Sequence, residues 1–157
     1  MERLVAREQD AIEHAVTESC RIKSEIVEAD ERESGERALL NFGHTFAHAI
    51  ETATGYEAWL HGEAVAAGMV LAAALSERVA GLQRGQADRI RALLARVPGF
   101  ARAPPPLDAE RWFDLMWHDK KARSGMPRFV LLSALGAGVL RGDISRQDLQ
   151  QVLPNAS

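Results

Sequence analysis

The sequence predicts a mainly α fold, a multi-helix domain with one short β-hairpin near the C-terminus. Apolar residues recur at four-three spacing in successive segments, which is the period of helices with one buried face. No alternation of strand and helix appears, so a doubly wound nucleotide-binding sheet is not encoded. Two short extended runs separated by Gly136-Ala137-Gly138 account for the hairpin.

Asp10 and Glu13 form a capping-box-like start, and Ile12, Val16, Ser19, Lys23 and Ile26 carry the first helix to about Ala29. Lys23 falls in its inward stripe, where an ammonium requires a partner. After the charged turn from Asp30 to Gly35, with Ser34 as N-cap, a second helix is expected to run to Gly55. A loop with Tyr56 and Trp59 leads to His61, and a third helix spans about Gly62 to Val79. Its Ala-rich sequence and internal Gly68 predict close helix approach at the domain centre. Gln86 to Val97 gives a fourth helix stopped by Pro98-Gly99, and Pro104-Pro105-Pro106 a stiff linker. Asp108 caps a helix through Trp112, Phe113, Leu115 and Met116. The hairpin joins Arg128–Leu132 to the residues near Val139 and Leu140, and Ser145 with Asp148 starts a last short helix.

With 157 residues, 46% hydrophobic and 26% charged, the chain can bury one sizeable core, and residues 1–157 are expected to form a single domain. A net charge of −3 without a concentrated basic face argues against nucleic acid as a partner. No apolar run approaches the roughly 18 residues of a membrane span, and no signal peptide follows Met1. Cys20 is the only cysteine, which excludes an internal disulfide and suits a cytoplasmic location.

The chemistry concentrates in the second helix. Arg37, Asn41, His44, His48 and Glu51 follow one another at steps of four, three, four and three, one stripe on a helix whose other sides are apolar. Histidines four apart share a face, and His61 supplies a third imidazole at the next helix start. A catalytic zinc takes three protein ligands and keeps an open position. His44 and His61 are good ligand candidates, and His48 is either a third ligand or a general acid/base. Lys23, Arg37, Lys120 and Lys121 carry the charge to neutralise a phosphate or carboxylate. For Lys120 and Lys121 a solvated helix end is the simpler reading. Glu63 reads equally as a ligand or as a first-turn carboxylate, and His14 and His118 receive no role.

Two long runs, Arg37 to Glu51 and Trp59 to Met69, resemble the carboxy-terminal domain of 3-dehydroquinate synthase. Ile22-Lys23-Ser24-Glu25-Ile26-Val27 with Asp30-Glu31, Asp119-Lys120-Lys121, and Arg128-Phe129-Val130-Leu131-Leu132 match in order and spacing, so the similarity covers nearly the whole chain. The resemblance implies an NAD- and metal-dependent lyase of the shikimate pathway, in aromatic amino acid biosynthesis. Such an enzyme closes a seven-carbon sugar acid phosphate into 3-dehydroquinate with loss of phosphate. The metal is usually Zn2+, with Co2+ or another divalent ion as a substitute.

Carried over by position, the resemblance makes His44 and His61 metal ligands, and His48 a proton carrier or phosphate partner. Lys23, Arg37 and Asn41 would hold the substrate's carboxylate, hydroxyl and phosphate groups, with Lys120 and Lys121 jointly on the phosphate. Ala47 departs from the family's usual Gly. The third ligand, a glutamate, and the NAD-binding domain belong upstream of the matched region, so the lone chain is expected to be inactive. The complete enzyme is expected to be a homodimer that binds NAD mainly through that amino-terminal domain. Two rivals stand beside this reading. One is a metal-dependent alcohol or glycerol dehydrogenase domain, which needs no phosphate-binding groups; the other is a non-catalytic helical module.

Overall fold

A computed structural model of the chain describes residues 1–32, 35–118 and 127–154. Seven α-helices, one 3-10 helix and one hairpin are seen among them: α1 (Glu2–Val5), α2 (Gln9–Ala29), the 3-10 helix (Glu36–Asn41), α3 (His44–Ala53), α4 (His61–Val79), α5 (Gln86–Leu94), α6 (Ala109–His118), β1 (Phe129–Ala134), β2 (Ala137–Arg141) and α7 (Arg146–Gln150). The mainly α class with a C-terminal hairpin is therefore the observed one. No helix among the described residues is long and apolar enough to cross a membrane.

Helix α4 is the centre of the domain. It buries Ala64, Ala66, Ala67, Gly68, Leu71, Ala72, Ala73, Leu75 and Ser76, and α3, α5, β1 and α7 all pack on it. Small side chains on several sides make this possible, because each neighbour approaches the α4 backbone closely. The tightest approach is at Gly68, where an added β-carbon would stand 2.2 Å from the Gly43 carbonyl oxygen and 3.0 Å from the Ala47 nitrogen. Ala47 is fully buried at this crossing.

Around α4 the large side chains Phe46, Ile50, Leu75, Trp112, Phe113, Met116, Phe129, Leu131 and Leu149 form the core. Full burial of a Phe or Leu side chain contributes about 1.5–3 kcal/mol each relative to exposure, so α3, α6 and the hairpin are held chiefly by this cluster. A polar pin adds direction. The buried Ser76 hydroxyl donates to the Ala72 carbonyl at 2.6 Å and accepts from the Leu132 N–H at 2.9 Å, fastening β1 to α4.

The hairpin is antiparallel, pairing Phe129 with Arg141 and Leu131 with Val139, with an irregularity between Leu132 and Ala134. Its turn lies at Leu135-Gly136, with Gly136 at φ +86°, and Ala137 and Gly138 belong to β2. Helix α6 is started by Asp108, whose carboxylate accepts from the Arg111 N–H at 2.7 Å. Ser145 caps α7 by accepting from the Asp148 N–H at 3.1 Å. Both caps match the sequence expectation.

Three expectations are corrected. The first helix begins at Gln9, so Asp10 lies in its first turn, and Glu8 stands at the N-cap without a side-chain bond. Asp10 instead forms an ion pair with Arg3. Second, Lys23 does not face inward: α2 buries no residue, Lys23 is exposed, and Val16 and Ile22 remain 56% and 47% exposed. The main packing partners of α2 are α1 and the 3-10 helix, so its periodic stripe finds no core to enter. Third, the long polar-striped helix is two elements. The 3-10 helix ends at Asn41, Phe42 is extended at ψ 121°, and Gly43 is left-handed at φ +84° before α3 starts at His44. A β-carbon at Gly43 would lie 2.6 Å from the Met69 nitrogen, so the break lets the chain pass directly against α4. The expected N-cap, Ser34, lies outside the described residues.

Candidate functional site

The break at Gly43 places His44 on the first residue of α3, and His48 follows one turn later on the same face. Helix α4 begins at His61, so its first residue meets the start of α3 from the other side. The ring centres of His44 and His61 are 5.5 Å apart with planes at 62°, and those of His44 and His48 are 5.9 Å apart, nearly perpendicular. All three predicted histidines are brought together. Two imidazoles on one tetrahedral metal, at about 2.0–2.1 Å per zinc–nitrogen bond, have ring centres roughly 5 Å apart. The His44–His61 pair fits that demand.

Electrostatics agree with a ligand role for His44. Burial pushes its imidazole below the ordinary range, outweighing the Phe42 backbone, which favours the charged ring. Proton charge on His48 or His61 lowers it further, while Glu51 acts in the opposite direction. Nδ1 of His44 is buried and makes no well-formed hydrogen bond. A neutral imidazole is the form that binds metal. Among the described residues no group of three or more His, Cys, Asp or Glu is arranged to hold a metal ion; what the geometry shows is the close pair of imidazoles His44 and His61.

Glu51 is the residue whose part sequence reasoning left undefined. It closes the polar stripe, seven residues after His44 and three after His48, and it is buried, with 7% exposure. Its Oε1 lies 2.9 Å from Nδ1 of His61. The signal was its place on the histidine face, which only an inward-facing α3 made meaningful.

The remaining predicted residues are distributed around this cluster. Arg37 is half-buried in the 3-10 helix and tied back to the end of α2: its backbone N–H donates to Asp30 at 3.0 Å and its guanidinium to the Glu31 carbonyl at 2.8 Å. Asn41 is exposed at the end of the 3-10 helix, and Lys23 is exposed on α2. Lys120 and Lys121 lie outside the described residues. Glu63 is a first-turn carboxylate: it accepts from the Leu60 N–H at 3.3 Å and lies 3.5 Å from Arg102. Arg102 in turn covers the Trp59 ring at 4.0 Å, fixing the loop that delivers His61.

Comparison with known proteins gives this site a family. Residues 1–122 match the family model described as 3-dehydroquinate synthase C-terminal. The 3-dehydroquinate synthase of Halorhodospira halophila is 53% identical over 150 residues, which are 96% of this chain and 42% of the relative. That of Laribacter hongkongensis is 49% identical over 150 residues, 96% of this chain and 41% of the relative. The chain thus spans about two fifths of the length of these relatives. Among solved structures, ValA, a 2-epi-5-epi-valiolone synthase from Streptomyces hygroscopicus subsp. jinggangensis with NAD+ and Zn2+ bound, shares the fold at TM-score 0.77 and 20% identity. It is matched over 92% of this chain and 40% of its own. A 2-deoxy-scyllo-inosose synthase complexed with carbaglucose-6-phosphate, NAD+ and Co2+ superposes at TM-score 0.63 with 25% identity, over 76% of this chain and 34% of its own. With a family model over most of its length and relatives near half identity, the chain belongs to the 3-dehydroquinate synthase family and corresponds to its C-terminal domain.

Proposed function

We propose that residues 1–157 act as the metal- and substrate-binding helical domain of a 3-dehydroquinate synthase, a phosphate-eliminating lyase of the shikimate pathway. The observation that carries this reading is the His44–His61 pair, 5.5 Å between ring centres, set at the meeting of two helix starts. His44 and His61 are the ligands, and the metal is zinc, with cobalt as a functional substitute. When bound, the metal supplies Lewis-acid polarisation of a substrate oxygen.

The chain's own side chains do the rest of the binding. His48, 5.9 Å from His44, stands beside the substrate as proton carrier or phosphate partner. Arg37 offers a planar fork suited to a carboxylate or phosphate, Lys23 a compact charge on a flexible stem, and Asn41 a donor and acceptor for hydroxyls. Lys120 and Lys121 together meet the phosphate. NAD is held mainly by an amino-terminal domain of the kind that occupies the rest of the relatives' length, and the complete enzyme is a cytoplasmic homodimer.

The test is reassembly. The chain is fused to, or co-expressed with, the amino-terminal part of a close relative, and phosphate release from the sugar acid phosphate is followed with NAD and zinc present. Phosphate release, lost in His44→Ala and His61→Ala, is the expected result. Alcohol oxidation without phosphate release would assign the domain to a simple dehydrogenase.

A further inference from the structure

We propose that Glu51 is a positioning residue that fixes the tautomer and aim of His61, so that α3 carries both one metal ligand and the group that orients the other. This rests on the reading of His61 as a ligand. The Glu51 carboxylate is buried, its side chain only 10% exposed, whereas the His61 side chain is 60% exposed. Packing therefore does little to hold the His61 ring. The contact at 2.9 Å between Glu51 Oε1 and His61 Nδ1 is what holds it.

An ionised carboxylate only accepts hydrogen bonds. Nδ1 of His61 must then carry the hydrogen, and Nε2 keeps its lone pair for a ligand. A buried carboxylate is costly unless a donor meets it, and Nδ1 of His61 is the ring nitrogen placed to be that donor. The contact thus solves two problems at once, satisfying Glu51 inside the domain and pre-setting an otherwise loose imidazole. Because α3 runs unbroken from His44 to Ala53, the spacing between His44 and the Glu51 anchor is rigid. Carboxylate partners of metal-bound imidazoles characteristically change metal affinity about 10- to 100-fold.

The experiment uses the full chain in two readouts. Nitrogen-15 chemical shifts and two-bond couplings report the His61 tautomer without metal, at a pH about two units above the ordinary imidazole value. Zn2+ titration followed on the imidazole resonances reports affinity in the parent chain, Glu51→Gln and His61→Ala. The expected result is a His61 ring protonated on Nδ1 in the parent chain and mixed between tautomers in Glu51→Gln, with zinc bound about 10- to 100-fold more weakly in that variant. A parent ring protonated on Nε2 overturns the proposal, and this reading stands even if Glu51→Gln fails to fold. Unchanged zinc affinity in a folded Glu51→Gln, with binding lost in His61→Ala, overturns Glu51 alone and leaves the ligand assignment intact. Zinc binding by His61→Ala equal to the parent overturns the ligand assignment, and the role of Glu51 with it.

Discussion

Gly68 of α4 faces the backbone of Gly43 so closely that a β-carbon at position 68 would stand 2.2 Å from the Gly43 carbonyl oxygen. Real β-carbons do not occupy such a position, so Gly68→Ala must push α3 away from α4. Overpacking of this kind costs about 1–3 kcal/mol. Gly62 is a control within the same helix: its added β-carbon would meet only the Phe100 ring at 3.7 Å, an ordinary contact. Urea unfolding is expected to show a clear loss for Gly68→Ala, and no loss or a gain of up to about 1 kcal/mol for Gly62→Ala. Equal midpoints for the two variants would contradict the crossing described.

Ser76→Ala leaves the Leu132 N–H without its acceptor at the α4–β1 junction. The expected cost is about 1–3 kcal/mol, the usual penalty for an orphaned, partly buried donor. Faster hydrogen exchange at the Leu132 amide than at its strand neighbours would mark the same event. Unchanged stability together with unchanged exchange would show that the bond does not hold the hairpin.

The pH dependence follows from His44. Its folded-state pKa is lowered, first by burial, so between the ordinary imidazole value of about 6.5 and the lower folded value the unfolded chain binds a proton that the folded ring resists. Stability therefore falls as pH drops through that window and is regained as pH rises above it. His44→Gln is expected to flatten this part of the stability–pH curve. A curve as steep as the parent's would assign the slope to another group.

Zinc added to the chain alone is expected to bind weakly. Two imidazoles leave a tetrahedral ion short of a third protein ligand, and incomplete coordination forfeits most of the binding free energy. Titration calorimetry at neutral pH checks this. A tight stoichiometric site would mean that the chain closes the coordination by itself.

Much of the fold was legible in the primary structure because its signals are local. The Asp108 and Ser145 caps, the glycine that turns the hairpin, the Ala-rich run of α4 and the apolar residues of α6 act within a few residues, and these elements appear as expected, the hairpin turn alone being tighter than the expected Gly136-Ala137-Gly138 joint. The three histidines were legible too, since a spacing of four survives in any helix that contains His44 and His48. Lys23 was not: its stripe has the period of a buried face, and whether a face is buried depends on what packs against it.

Residue order by itself thus determined the helical class, the hairpin, the family and the choice of His44, His48 and His61 as the candidate cluster, because period, capping chemistry and motif are properties of neighbouring residues. Only the tertiary structure decided that the polar stripe is broken at Gly43, that His61 comes within 5.5 Å of His44, and that Glu51 turns inward to meet His61. The physical reason is a long-range one. The close crossing of α3 over Gly68 forces a left-handed residue into what would otherwise be a continuous helix, and no propensity read along the chain contains that contact.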